Sequence, residues 1–274
     1  MSDMSVSFEQ AGIPAGVIVH GVDFADIGDD VFAQLHKAFL THHVLCIRGS
    51  EISQQQHLDF AARWGKVHQH PYVPSIEGFP GMMMIFQVHA ITETWHSDTT
   101  HVLAPPKITT LVARDIPPLG GDTAFANQHL AYESLSPAMR TTLDQLYAVH
   151  YGTDLAYEQG VDAKALRHAH PVVVMHDESG LRSLYVNADY TRHFLGWTED
   201  ESRDLLGFLY AQATRHELIY RHRWEPGDFL MWDNRIVQHR VIADHGSATR
   251  ELNRVTLHGD PMSGPAGSSF KYED

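Results

Sequence analysis

The chain has 274 residues, with 20 Lys+Arg against 34 Asp+Glu, a net charge of −14, and 43% hydrophobic and 20% charged residues. That length and composition suit one large domain or two small ones with a full core, and exclude a disordered or low-complexity protein. The acid surplus argues against nucleic acid as the main partner, since phosphate contacts need cations, and no apolar run approaches the roughly 20 residues that cross a bilayer.

In chain order, Met1–Gln10 has neither a basic patch nor an apolar core, so no secretory signal is expected. The single cysteine, Cys46, rules out an internal disulfide and fits a reducing cytoplasm. Val17 to Phe24 reads as a strand. Asp29 to His42 reads as an amphipathic helix, because Val31, Phe32, Leu35, Ala38 and Phe39 recur at helical spacing. Val44 to Ile47 is a strand-type run. Ser53 caps a second helix, Gln54 to Trp64, which Gly65 stops. From Met82 the pattern changes to short strands: Met83 to Val88, Ile108 to Arg114, Gly121 to Ala126, Pro171 to His176, Ser183 to Asn187, Asp228 to Asp233 and Glu251 to His258. Helices interrupt at Ser136 to Tyr147 and at Thr198 to Ala213, where Thr198 and Glu201 have capping-box spacing. This is a mainly β chain with flanking helices, of the sandwich or jelly-roll kind rather than a parallel α/β sheet. A single domain over residues 1–262 and a loose Gly/Ser/Pro-rich tail over 263–274 are expected, with the domain associating as a homo-oligomer, a dimer or tetramer.

The chain holds 21 histidines, and histidine is the commonest metal ligand. In Trp95-His96-Ser97-Asp98, an extended backbone would turn the imidazole and the carboxylate to one face. Taken alone, an H-x-D string arises easily by chance in so His- and acid-rich a chain. A third donor stands in Trp232-Asp233-Asn234-Arg235-Ile236-Val237-Gln238-His239, although a core or surface histidine is the alternative there. Two histidines and one carboxylate suit non-haem Fe(II), which keeps positions open. Eleven residues past His239 comes Arg250, then Arg254. On one strand face these two would repel unless anions sit between them, and a guanidinium grips a carboxylate through two parallel bonds. A solvent-facing basic stripe is the other reading. Gly120-Gly121-Asp122-Thr123 is a glycine turn leading into a strand, or a plain hairpin.

Together, WHSD, PPLGGDT, WDNRIVQH and an arginine eleven residues on resemble the taurine dioxygenase / 2,4-dichlorophenoxyacetate dioxygenase family of Fe(II)- and 2-oxoglutarate-dependent oxygenases, over about residues 15 to 262. The resemblance implies a double-stranded β-helix, a cupin-like jelly roll. It implies His96, Asp98 and His239 as the Fe(II) ligands and catalytic centre, with Arg250 and Thr123 holding the distal carboxylate of 2-oxoglutarate. It also implies that Arg254 faces the acid of a small anionic substrate. His70 is a candidate sulfonate contact, since His68-Gln69-His70-Pro71 resembles the taurine dioxygenase segment; Tyr72 and Thr99 are further substrate candidates. Departures from the taurine pattern are Val73 where a tyrosine is expected, Thr92 for an asparagine and His101 for a phenylalanine. The segment Leu184 to Asn187 with Tyr190 resembles the pocket lining. The activity implied is hydroxylation of a sulfonate or related acid, consuming 2-oxoglutarate and O2 and releasing succinate and CO2. An aryloxyalkanoate or alkyl sulfate is the alternative substrate. A metal hydrolase and a non-catalytic jelly-roll sensor are the rivals; Arg250 and Thr123 argue against hydrolysis, which needs no dicarboxylate.

Overall fold

The computed structural model describes residues 6–69, 73–87, 93–153, 160, 162 and 166–265. The chain opens with β1 (Ser7–Gln10), β2 (Val17–His20), α1 (Asp29–His42), β3 (Val44–Ile47), α2 (Gln54–Trp64), β4 (Val67–His68) and β5 (Met82–Gln87). There follow β6 (Ile108–Asp115), β7 (Thr123–Asn127), α3 (Gln128–Glu133), α4 (Pro137–Leu143), β8 (Tyr147–Tyr151), β9 (Arg167–Pro171), β10 (Val173–Met175), β11 (Arg182–Leu184) and β12 (Thr191–Phe194). The last part holds α5 (Glu199–Ala213), β13 (Ile219–His222), β14 (Phe229–Asp233), β15 (Val237–Val241) and β16 (Arg250–Leu257).

Among the described residues the strands form four sheets; two of them face each other as a jelly roll, and β12-β8-β9 and β10-β11 lie outside them. The large sheet runs β1-β2-β3-β14-β6-β16-β4, with β5 also paired to β16. The small sheet is β13-β7-β15. Strand periodicity sorts the side chains of the large sheet onto two faces. Val19, Ile47, Val112, Phe229, Met231, Val255 and Leu257 lie against α1 and α2, through Leu35, Phe39, Phe60 and Trp64. The alternate residues Cys46, Leu111, Leu230, Trp232 and Leu252 face inward, onto Phe125 and Val237 of the small sheet. A third cluster joins α3 and α5 to the outer strands through Leu143, Val173, Phe194, Leu206 and Leu209. Large side chains buried on both faces of one sheet supply the main driving force, each worth about 1.5–3 kcal/mol.

The expected α1, β3 and α2 have the bounds read from periodicity, and Ser53 closes a capping box with Gln56. The expected strand Val17 to Phe24 stops at His20, and that from Met83 ends at Gln87, Val88 lying outside the described residues. The expected helix Ser136 to Tyr147 is corrected. It ends at Leu143, and Tyr147 opens β8, which pairs with β9 and β12. Leu143, Leu146 and Tyr147 match helical spacing, but Ala148 and Val149 are fully buried between neighbouring strands, and pairing overrides the local pattern. The expected strand Pro171 to His176 is two strands, broken after Pro171, which lacks a ladder donor. Of the expected tail, 266–274 lies outside the described residues. Among the described residues, no helix is long and apolar enough to cross a membrane.

Candidate active site

The segment before Asp98 is laid onto the small sheet. His96 N donates to His239 O at 3.1 Å and His239 N to His96 O at 2.7 Å, a single antiparallel bridge on the edge of β15. The bridge is confined to His96, and Asp98 already lies in a turn, so the pair does not sit on one continuous strand. Thr99 follows at φ 42°, a left-handed conformation that strains a β-branched residue by about 1–3 kcal/mol. This turn aims Asp98 back at the histidines.

The donor atoms of His96, Asp98 and His239 all lie within 4.8 Å of one another, and all three residues are buried. Asp98 Oδ1 is 3.8 Å from His96 Nε2 and 3.7 Å from His239 Nε2. Two ligand atoms at right angles on one ion, each ~2.1 Å from it, are ~3 Å apart, so a small inward shift closes this set on a cation. His96 Nδ1 donates to Thr94 O at 2.9 Å. A carbonyl only accepts, so the Nε2 lone pair is free to face a metal. His239 is held by rings: its imidazole lies 4.6 Å from Trp232 and stacks on Phe125 at 6.2 Å, while its Nδ1 has no hydrogen-bond partner. Burial alone would raise the Asp98 carboxyl, but Arg254, His239, His96 and the Thr109 hydroxyl outweigh it and hold the group well below the ordinary carboxylate range. Burial, with His96 and Arg254 nearby, holds His239 neutral. Two imidazoles and an ionised carboxylate on one face fit a divalent metal ion.

Two cavities adjoin this centre. The smaller, about 60 Å³, is lined by His96, His239, Arg250 and Thr123, with Leu111 and Trp232 among its apolar walls. Arg250 is 1% exposed. It donates through Nε to Gly121 O at 3.0 Å and through Nη2 to Thr123 Oγ1 at 3.2 Å. Burial pulls its pKa from 12.5 down to about 10. The glycine pair makes this cradle. Gly120 and Gly121 both have positive φ, and a Cβ on Gly121 would lie 3.0 Å from Pro117 Cγ and 3.4 Å from Arg250 Cδ. The larger cavity, about 290 Å³, meets His96 and Asp98 from the other side, with Met83, Ile85 and Pro106 among its apolar walls. Arg254 borders both cavities and pairs with Asp98 Oδ2 at 2.6 Å. In this structure Asp98 is therefore the anion that answers Arg254, while Asp122 is the acid whose charge acts on Arg250.

A model of the family described as "Taurine catabolism dioxygenase TauD, TfdA family" matches residues 8–256. An alkylsulfatase of Acinetobacter baylyi is 33% identical over 93% of this chain and 86% of its own. An alpha-ketoglutarate-dependent 2,4-dichlorophenoxyacetate dioxygenase of Cupriavidus pinatubonensis is 32% identical, over 89% and 94%. A solved taurine dioxygenase from Burkholderia xenovorans has a TM-score of 0.86 and 34% identity, over 96% of this chain and 94% of that one.

The chain belongs to the TauD, TfdA family. It is a 2-oxoglutarate-dependent non-haem iron oxygenase, and the expected jelly roll is the fold it has.

Of the residues a TauD, TfdA resemblance singles out, the structure brings His96, Asp98, His239, Thr123, Arg250 and Arg254 around the two cavities, and Thr99 and Tyr190 onto the wall of the larger. His70, Tyr72 and Thr92 lie outside the described residues. His68, two residues before His70, lines the larger cavity, as does Val73. His101 is buried beside Tyr190, ring centroids 5.4 Å apart. Sequence reading missed Thr109 and Asn234, which both bond Asp98 Oδ2. No strand was expected over Val237–Val241 either, although the alternation Val237-Gln238-His239-Arg240-Val241 is the signal of one. Among the described residues, two other metal-type groupings already hold a guanidinium: Arg48 grips Asp228 beside Cys46 and His222, and Arg235 binds Asp177 and Glu178 beside His176.

Proposed function

We propose that His96, Asp98 and His239 hold Fe(II), and that Arg250 and Thr123 hold the distal carboxylate of 2-oxoglutarate in the smaller cavity. Arg254 then receives the acid group of a small sulfonate or sulfate ester whose apolar body occupies the larger cavity. The observation that carries this reading is one His/Asp/His set that lines two cavities, with Arg250 lining the smaller and Arg254 lining both. The chemistry such a centre supplies with O2 is oxidative decarboxylation of 2-oxoglutarate to succinate and CO2, coupled to hydroxylation of a substrate C–H.

The chain's own groups select and position. Arg250 matches a carboxylate in a buried, apolar-walled slot, which suits a short dicarboxylate. Leu111, Trp232 and Leu252 around it exclude water from the co-substrate. Arg254 anchors the acid, and anchoring an acid beside the metal fixes which carbon meets the oxidant: one close to the acid group. Met83, Ile85 and Pro106 favour an alkyl body. Asp98 is the sole carboxylate among the described residues lining the larger cavity, and it is committed to the metal and to Arg254. A free ammonium would find no uncommitted carboxylate among the described lining residues, which disfavours taurine itself. The relatives' names agree with a spread over sulfur esters, sulfonates and aryloxy acids. Hydroxylation at the carbon that bears sulfate or sulfonate gives an adduct that breaks down to an aldehyde and free sulfate or sulfite.

The test is 2-oxoglutarate turnover under O2 with Fe(II), across linear alkyl sulfates, alkanesulfonates, taurine, aryloxyacetates and the matching neutral alcohols. Succinate forming in step with aldehyde and sulfate or sulfite from the alkyl acids is the expected outcome. Preferred turnover of aryloxyacetates would move the substrate to the other branch of the family. Equal turnover of the alcohols would remove Arg254 as an acid receptor. Succinate formation with none of them would favour a sensor.

A further inference from the structure

Asp98 divides its two oxygens between different partners. Oδ1 faces the two histidine nitrogens at 3.7 and 3.8 Å. Oδ2 accepts from Thr109 Oγ1 at 2.5 Å and from Asn234 Nδ2 at 3.3 Å, and it pairs with Arg254 at 2.6 Å.

The network leaves little freedom in these orientations. An indole N–H only donates, so Asn234 turns its Oδ1 to Trp232 Nε1, at 3.0 Å, and to the Asp98 amide, at 3.4 Å. The Asn234 amide nitrogen therefore faces Asp98 Oδ2 and Thr109 Oγ1, the latter 3.1 Å away. Having accepted from Asn234, the Thr109 hydroxyl gives its proton to Asp98. Strand register sets this up: Thr109 on β6 sits opposite Trp232 on β14 and Thr256 on β16, and Asn234 follows two residues after Trp232. Thr109 and Asn234 are both fully buried, so deleting the hydroxyl takes away the shortest bond to Oδ2 and leaves the Asn234 amide with Asp98 alone, in a place where neither loss is readily made good.

We propose that Thr109, together with Asn234, is a positioning residue for the metal-binding carboxylate: the pair holds Oδ2 back so that Asp98 binds through Oδ1 alone. A carboxylate that binds through both oxygens takes two positions on an ion instead of one and leaves one fewer for the co-substrates. Groups that bond a ligand's far side orient it in this way, and their loss typically lowers metal affinity by roughly 10–100-fold. The inference rests on the reading of His96, Asp98 and His239 as metal ligands.

The test compares Thr109→Ser with Thr109→Ala, which differ by one hydroxyl, in metal-stripped protein titrated with Mn(II) by calorimetry in the absence of 2-oxoglutarate. Circular dichroism checks the fold, and Thr109→Val, which keeps the volume, replaces the alanine variant if that variant unfolds. The serine variant should bind Mn(II) within about twofold of wild type, and the variant lacking the hydroxyl roughly 10-fold or more weakly. With Co(II), the visible d–d bands should change in the variant lacking the hydroxyl and not in the serine variant. Wild-type Mn(II) affinity and Co(II) bands without the hydroxyl, or equal losses in both variants, would overturn the inference while the ligand reading stands. Failure of the wild type to bind Mn(II) would overturn both.

Discussion

Arg250→Ala removes a guanidinium whose burial works against it in the empty fold and for it in the loaded one. In the protein alone, the change deletes the bonds to Gly121 O and Thr123 Oγ1, about 1 kcal/mol each. It also relieves the burial that pulls the arginine from 12.5 to about 10, about 3 kcal/mol against the charged form at neutral pH. These oppose each other, so the fold should lose no more than about 1–2 kcal/mol. Co-substrate binding has no such offset. A two-point charge-assisted contact to a carboxylate is worth about 3 kcal/mol or more, roughly 100-fold in affinity. Thr123→Val removes one neutral bond, about 1 kcal/mol, or roughly fivefold. The assay is anaerobic titration of Fe(II)-loaded protein with 2-oxoglutarate, read by the metal-to-ligand charge-transfer band, beside urea denaturation of the metal-free protein. Affinity of the alanine variant within about threefold of wild type would mean that the dicarboxylate binds elsewhere. A collapse of the metal-free protein would mean that Arg250 serves the fold first.

His96→Ala, Asp98→Ala and His239→Ala should each abolish Mn(II) binding and turnover and leave a folded protein; a variant that keeps full turnover removes its residue from the metal site. Arg254→Ala should weaken binding of an alkyl sulfate by roughly 10–100-fold with little change in 2-oxoglutarate affinity, and a kinetically silent variant would contradict the anionic-substrate reading. Burial lowers His43 to about 4 and His57 and His170 to about 3. The unfolded chain therefore takes up protons below about 6.5 that the native state refuses. Their stabilisation is complete above that pH and is lost as pH falls towards the native values. At pH 5 the loss is about 2 kcal/mol for each histidine, and unchanged urea midpoints between pH 7 and 5 would show that these groups charge in place.

Much of this protein was legible in local sequence because the physics there is local. The helix spacing of Leu35 and Phe39, the Ser53 and Thr198 caps and the glycine pair at 120–121 each act within a few residues of themselves. The site motifs were legible as residue types: a His-x-Asp, a distant histidine, and two arginines four apart on one strand. Their meeting was not. Asp98 reaches the histidines through a strained turn and an isolated bridge to β15, and Arg254 of β16 meets it only because β6, β14 and β16 lie in register. Strand pairing is non-local, so nothing near Tyr147 announces a strand, and nothing near Thr109 announces a bond to Asp98 eleven residues before it. Tertiary structure alone also decided that Arg254 is partnered by Asp98. Charge balance in a buried site depends on which groups are brought within a few ångströms, and sequence spacing does not determine that distance.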